Sequence, residues 1–257
     1  MTAIAEPLPA STLILLRTTE EGVELFMMKR NPFSDFAPGA LVFPGGMLEE
    51  IDTQDWSGLI PSTSNCDPLL AYKIAAIRET FEESGILLAF HQDGRNYPDE
   101  KYLQSLQPFR EKLNNNALSF RDFISDNRFV LAVGDLHHCA NWVTPKLAPK
   151  RFDTHFFVAK APLQSGVHDG AELVESFWVK PDKVLEFAET DEYRIVFATE
   201  MNALWVSKFS SIDAIIHSAR EATVNRIEAE VDVRGDKIVL CIPESAGYGV
   251  TERLWRM

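Results

Sequence analysis

Arg78-Glu79-Thr80-Phe81-Glu82-Glu83-Ser84-Gly85-Ile86 is the stretch on which the reading of this chain turns. Leading into it, Leu70, Ile74, Ile77 and Phe81 recur at spacings of four, three and four, which predicts a helix from Pro68 to Ser84. Pro68 suits its first turn and Gly85 its end. At about 100° per residue, the apolar four fall in one narrow arc, while Glu79, Glu82 and Glu83 gather on the opposite side. The three carboxylates are therefore expected to face away from the core together. Residues three and four apart are helix neighbours, so Glu79 meets both Glu82 and Glu83, and their repulsion destabilises the helix. A hard cation bound through oxygen would reverse that cost.

An acidic face opposite an apolar stripe is also what any solvated helix shows. The surroundings favour chemistry instead. Arg78 lies to one side of the carboxylates, Gly85 stops the helix, and Gly45-Gly46 ends the strand that precedes the loop. Glycines there would let backbone carbonyls approach a metal or phosphate closely.

Outward from this segment, residues 11–30 read as a hairpin, with Thr12 to Arg17 and Val23 to Arg30 around Glu20-Glu21-Gly22. A third strand is expected at Ala40 to Phe43, ending in Pro44-Gly45-Gly46. Residues 49–67 are polar and aperiodic, a long surface loop. A helical insertion is expected at about 98–126, with Tyr102, Leu106, Phe109 and Leu113 on one stripe and Asn114-Asn115-Asn116 as a break. Strands resume at Ala140 to Val143, Thr154 to Ala159 and Leu173 to Val179, followed by helices between about 181 and 221. Two alternating runs close the chain, Asn225 to Val233 and Lys237 to Ile242, joined by Arg234-Gly235-Asp236.

Composition narrows the class of function. With 257 residues, 46% of them apolar, the chain can bury a sizeable core, and residues 1–257 are expected to form one elaborated domain. The formal charge of -13 would repel a polyphosphate backbone, which argues against nucleic acid as a main partner. An acidic chain that handles a phosphorylated substrate must screen its own carboxylates, and divalent cations do that most directly. Cys66, Cys139 and Cys241 are odd in number, far apart and in no C-x-x-C pair, so a reducing compartment is expected. The run Leu13 to Leu16 is too short for a signal peptide or membrane span, and a soluble cytoplasmic protein without a membrane partner follows as the expectation. No G-x-S-x-G, H-E-x-x-H or G-x-x-x-x-G-K-[ST] occurs. His137 and His138 adjoin in a strand-like segment, point to opposite faces and read as structural.

The nine residues from Arg78 to Ile86 resemble the second half of the signature of the Nudix hydrolases, G-x5-E-x7-R-E-U-x-E-E-x-G-U, and Gly46 matches its opening glycine. Asp52 occupies the slot of the first Glu, and 25 residues rather than seven separate it from Arg78, so residues 53–70 resemble an insertion inside the box Gly46–Ile86. Thr80 replaces a bulky apolar residue. With Phe36 to Gly46, Trp142-Val143-Thr144-Pro145 and Arg151 to Phe157, the chain resembles the branch that contains acyl-coenzyme A diphosphatases.

The resemblance implies an α/β fold, a Nudix α/β/α sandwich with a mixed sheet. It also implies metal-dependent hydrolysis of a nucleoside diphosphate-linked small molecule, with coenzyme A or an acyl-coenzyme A first among the substrates. ADP-ribose or NADH is the alternative, and a non-catalytic nucleotide-sensing regulator is the rival from another class. Glu79, Glu82 and Glu83 would carry Mg2+ or Mn2+, with a backbone carbonyl at Gly45 or Gly46 as a further ligand, and Arg78 would orient a glutamate by ion pairing. For the general base, Glu79 is one candidate, and Glu172 and Glu175 are others. Among Lys29, Arg30, Lys146, Lys150 and Arg151, substrate phosphates are assigned to Arg30 and Arg151. Among Phe33, Phe36 and Trp142, stacking on a base is assigned to Phe36. A homodimer is a candidate assembly.

Overall fold

The computed structural model describes residues 4–34, 36–92, 96–190 and 192–255. The expected hairpin is the centre of its main sheet. Strand β1 (Leu8–Thr19) and β2 (Gly22–Arg30) pair antiparallel, with Thr19 opposite Gly22. Leu13 to Leu16 are all fully buried, the mark of a central strand covered on both faces. After β3 (Ala40–Val42), the short β4 (Gly45–Met47) turns back and pairs β1, setting Gly46 opposite Ser11. That fourth strand is absent from the sequence expectation, because three residues containing two glycines carry no strand signal.

The helix of the acidic segment, α1, spans Leu70–Ser84, so Pro68 precedes it rather than opening its first turn. The loop before it contains two single 3-10 turns, at Glu50–Thr53 and Ser62–Ser64. Next come β5 (Ala89–His91), α2 (Glu100–Asn114), α3 (Phe120–Asp126) and β6 (Phe129–Leu131), which makes a two-stranded sheet with β5. Two helices therefore lie in the segment where helices are expected. Strands β7 (His137–Val143) and β8 (Phe152–Lys160) return to the main sheet, β8 running parallel to β1. Strand β9 (Leu173–Val179) pairs β2.

The helices expected at 181–221 resolve into α4 (Pro181–Thr190), α5 (Phe197–Ser207) and α6 (Ile212–Glu221), with β10 (Arg194–Ile195) between the first two. The run Asn225 to Val233 divides. Its start, β11 (Arg226–Glu228), lies parallel to β7. Its end, β12 (Glu230–Arg234), joins β13 (Lys237–Cys241) and β14 (Glu252–Leu254) in a separate antiparallel sheet.

Alternation along the central strands sets the layers. Leu13, Leu15, Phe26, Met28, Phe157 and Ala159 pack with α1, α2 and α3 through Ile74, Ile77, Phe81, Leu106 and Phe123. Ile14, Leu16, Leu25, Met27, Phe156 and Val158 pack with α4, α5 and α6 through Val184, Phe187, Met201 and Ile215. A mixed sheet between two helical layers is the α/β/α sandwich that the resemblance implies. No described helix is long and apolar enough to cross a membrane.

Candidate active site

The C-terminal half of α1 lies against β4, and that contact builds the site. Gly85 ends the helix in the left-handed conformation, φ 74°, and its N–H bonds the Phe81 carbonyl at 2.8 Å. The Phe81 ring stacks on Phe123, with centroids 5.0 Å apart. Near the other end, Ser11 Oγ donates to the Tyr72 carbonyl at 2.7 Å and ties the helix to β1. On β4, a Cβ at Gly46 would overlap the Glu79 carboxylate where it now lies, so any other residue there displaces that side chain. Gly45 has φ 155°, and a Cβ there would fall 2.4 Å from the Ser11 carbonyl oxygen.

The acidic face of α1 is consequently not the solvated face that helical projection suggests. Glu83 is only 6% exposed and accepts from the Gly45 N–H at 2.8 Å. Arg78 is buried and forks onto Asp52, Nε to Oδ1 at 3.0 Å and Nη2 to Oδ2 at 2.9 Å. Its Nη1 donates to Glu79 Oε1 and Glu82 Oε2, each at 3.0 Å, and Nη2 also reaches the Met47 carbonyl at 3.0 Å. Arg78 Nη1 thus pairs with Glu79 and Glu82 and, at 3.6 Å, with Glu49, three glutamates rather than one. Asp52, a departure from the signature in sequence, is the buried partner of Arg78 in space. It also accepts from the Glu49 N–H at 2.8 Å, which locks the 3-10 turn where the inserted loop begins. Sequence reasoning missed the Met47 carbonyl, since only the fold brings it to the guanidinium.

Charge at this point is out of balance. One guanidinium faces Asp52, Glu49, Glu79 and Glu82, with Glu83 buried close by. Burial pushes Glu79 and Glu82 up to about 7, although the charge and hydrogen bonds of Arg78 pull the other way. Glu83 is pushed well above the ordinary carboxylate range by burial and then by the charge of Glu79, with the Gly45 N–H and Arg30 opposing. The Arg78 guanidinium is held more firmly protonated than usual: burial acts against its charge, and the hydrogen bond to Asp52 with the charges of Glu79 and Glu82 outweighs it.

Buried carboxylates in surplus suit an added divalent cation, and oxygen donors are what hard cations take. The fit has one condition. Among the described residues, no three acidic, His or Cys side chains already stand at ligand spacing, because Glu79 and Glu82 clasp Arg78 Nη1. Binding an ion through all three glutamates requires a rotation of those two side chains.

The remaining sequence candidates divide. Arg30 is near the cluster: its charge acts on Glu83, and its Nε donates to the Phe36 carbonyl at 3.0 Å. Phe36 sits edge-on to Phe152 at 4.8 Å. Arg151 is spoken for. It is 5% exposed, with its nitrogens on the Thr144 and Ala5 carbonyls and, at 2.5 Å, on Glu228, so its guanidinium closes the sheet edge instead of meeting a phosphate. Trp142 is likewise buried, its Nε1 on the Tyr248 hydroxyl.

Glu175 is a correction. It lies opposite Lys29, whose Nζ is 3.9 Å away, and accepts from the Tyr193 hydroxyl at 3.1 Å. Tyr193 packs on Phe177 and Phe187, in the layer of α4 and α5. Glu175 therefore stands across the sheet from Glu79 and Glu83 and cannot act as their base. Glu172, just before β9 and beyond the register shift at Lys29/Arg30, is near enough for its charge to raise Glu83. His137 and His138 point apart as expected, toward Arg220 and His155 respectively.

Residues 62–196, more than half of the chain, match the family model described as the NUDT19 Nudix domain. Acyl-coenzyme A diphosphatase NUDT19 of Xenopus laevis is 31% identical over 206 residues, 63% of this chain and 54% of that protein. The protein of the same name from Homo sapiens is 29% identical over 208 residues, 65% of this chain and 56% of that protein. The chain spans little more than half the length of these curated relatives. A crystal structure of a Nudix hydrolase from Alicyclobacillus acidocaldarius shares the fold, with a TM-score of 0.68 at 23% identity over 84% of this chain and 97% of that one. A family match that takes in Arg78 to Ile86, on a sandwich that buries Arg78 among these acids, leads to one conclusion: the chain belongs to the NUDT19 Nudix-domain family of Nudix hydrolases.

Proposed function

We propose that this chain hydrolyses the diphosphate of coenzyme A or an acyl-coenzyme A, with Glu79, Glu82 and Glu83 holding Mg2+ or Mn2+. The observation that carries the reading is the excess of buried carboxylate around Arg78 at the glycine strand β4. The substrate class follows the names of the curated relatives, acyl-coenzyme A diphosphatases. A divalent cation, when bound, neutralises phosphoryl oxygens and makes water a better nucleophile.

The chain's own groups do the rest. Arg78 holds Glu79 and Glu82 beside the site, from where a rotation of each brings it to the ion, and the Gly45 N–H aims Glu83. Gly46, which lets Glu79 lie against the backbone, offers its carbonyl as a further ligand. Of the three candidate bases, Glu172 and Glu79 remain, and Glu172 is the one assigned to remove a proton from the attacking water. Arg30 receives a substrate phosphate, and Phe36 and the exposed Phe33 offer faces to a base. Residues 1–257 are read as one elaborated Nudix unit. The unpaired cysteines suit a cytoplasmic location, and light scattering decides between monomer and homodimer.

The test is product analysis with Mg2+ or Mn2+ on coenzyme A, acyl-coenzyme A, ADP-ribose and NADH. Release of 3',5'-ADP from coenzyme A is expected. If coenzyme A stays intact while ADP-ribose or NADH is split, the substrate assignment fails. Glu82→Gln and Glu83→Gln should each lower turnover by about a hundredfold or more with a folded chain; full turnover in both would move the active centre elsewhere.

A further inference from the structure

The last carbonyls of a helix have no partner within it, and at α1 each is accounted for. The Phe81 carbonyl takes the Gly85 N–H and the Ser84 carbonyl takes the Val167 N–H, both at 2.8 Å. The two between them are served from the helical insertion. Arg110 of α2 donates from Nε to the Glu82 carbonyl at 2.9 Å and from Nη2 to the Glu83 carbonyl at 2.6 Å, and Asn114 Nδ2 adds a longer bond to Glu82 at 3.3 Å.

Arg110 is 6% exposed. A buried guanidinium is costly unless its charge is met. Carbonyl dipoles meet it here, at a helix end that carries about half a negative charge. Asp169 and Glu83 attract it from farther away, against the effect of burial. Asp169 in turn accepts from the N–H groups of Ala171 and Leu173, each at 3.0 Å, and so shapes the turn that carries Glu172.

We propose that Arg110 is a positioning residue of the metal site: by gripping the carbonyls of Glu82 and Glu83 it fixes the backbone from which two of the three carboxylates project. The helical insertion is then a brace for the catalytic helix. This inference rests on the metal-dependent reading above, and a binding measurement separates the two.

Arg110→Ala and Arg110→Lys are compared with the parent by titrating Mn2+ without substrate, following the free ion by electron paramagnetic resonance, on protein shown folded by circular dichroism. Arg110→Ala should weaken Mn2+ binding and lower kcat by about tenfold or more, with KM within about twofold of the parent. Arg110→Lys keeps the charge but reaches one carbonyl only, and should recover part of the loss. Parental Mn2+ affinity in folded Arg110→Ala overturns the proposal, since a plain structural brace changes the melting temperature alone. If that variant does not fold, Arg110→Lys decides: parental Mn2+ affinity in it overturns the proposal equally. Should the parent split no diphosphate, the activity falls and the Mn2+ titration still judges Arg110.

Discussion

Removing the Asp52 carboxylate tests whether the inserted loop is anchored by the fork seen here. Asp52→Ala deletes both hydrogen bonds to Arg78 and the acceptor for the Glu49 N–H. Breaking a buried ion pair from one side costs about 3–5 kcal/mol. Arg78 keeps Glu79, Glu82 and the Met47 carbonyl, so its charge is not stranded and the lower figure applies. About 3 kcal/mol in a chain of this size lowers Tm by about 6–12 °C. Arg78→Lys retains the charge without the fork and should cost a similar amount. The double variant should lose less than the sum, because both single changes break one interaction. Calorimetry of the four proteins reads the cycle directly. A single-variant Tm within about 2 °C of the parent, or strict additivity, would refute the claim that Asp52 and Arg78 act as a buried unit.

Other outcomes follow from the same geometry. Gly46→Ala pushes a methyl against Glu79 Oε1 and should depress turnover by about tenfold or more, while Gly134→Ala, where nothing lies near, should leave it intact; equal turnover in the two would deny the close approach. Since burial raises Glu79 and Glu82 to about 7, the folded state holds more protons than the unfolded one between about pH 4.5 and 7, and the metal-free protein loses stability as pH climbs through that window. Mg2+ should accordingly raise Tm more at about pH 8 than at about pH 5; equal gains at both would contradict the account. Arg151→Ala should lower Tm with kcat/KM of the folded fraction unchanged, and a selective rise in KM would restore the phosphate role. Glu172→Gln should cut kcat where Glu175→Gln does not, and the reverse ranking would return the base to Glu175.

The spacing of apolar side chains and the run from Arg78 to Ile86 were enough to indicate the helix, its acidic residues and the family. Those signals are local: a helix repeats its faces within a few residues, and a box of nine types is specific on its own. The hairpin of β1 and β2 was legible for the same reason, and so was the helical insertion. Projection could not say what lies opposite the acidic face. Only the return of β4 alongside β1 covers that face and leaves Glu83 buried, with Glu79 and Glu82 half-buried beside Arg78. The partners of Arg78 at Asp52 and of Arg110 at Glu82 and Glu83 are 26 to 28 positions apart in the chain, beyond any periodicity. The choice between Glu172 and Glu175 hangs on which face of the sheet each meets: Glu175 pairs Lys29 and bonds Tyr193 on the far layer, while the charge of Glu172 reaches Glu83. Sequence determined the family and which acids the chain carries; burial, register and the reach of side chains across the sandwich decided which of them stand together, because those depend on contacts between segments that no single segment encodes.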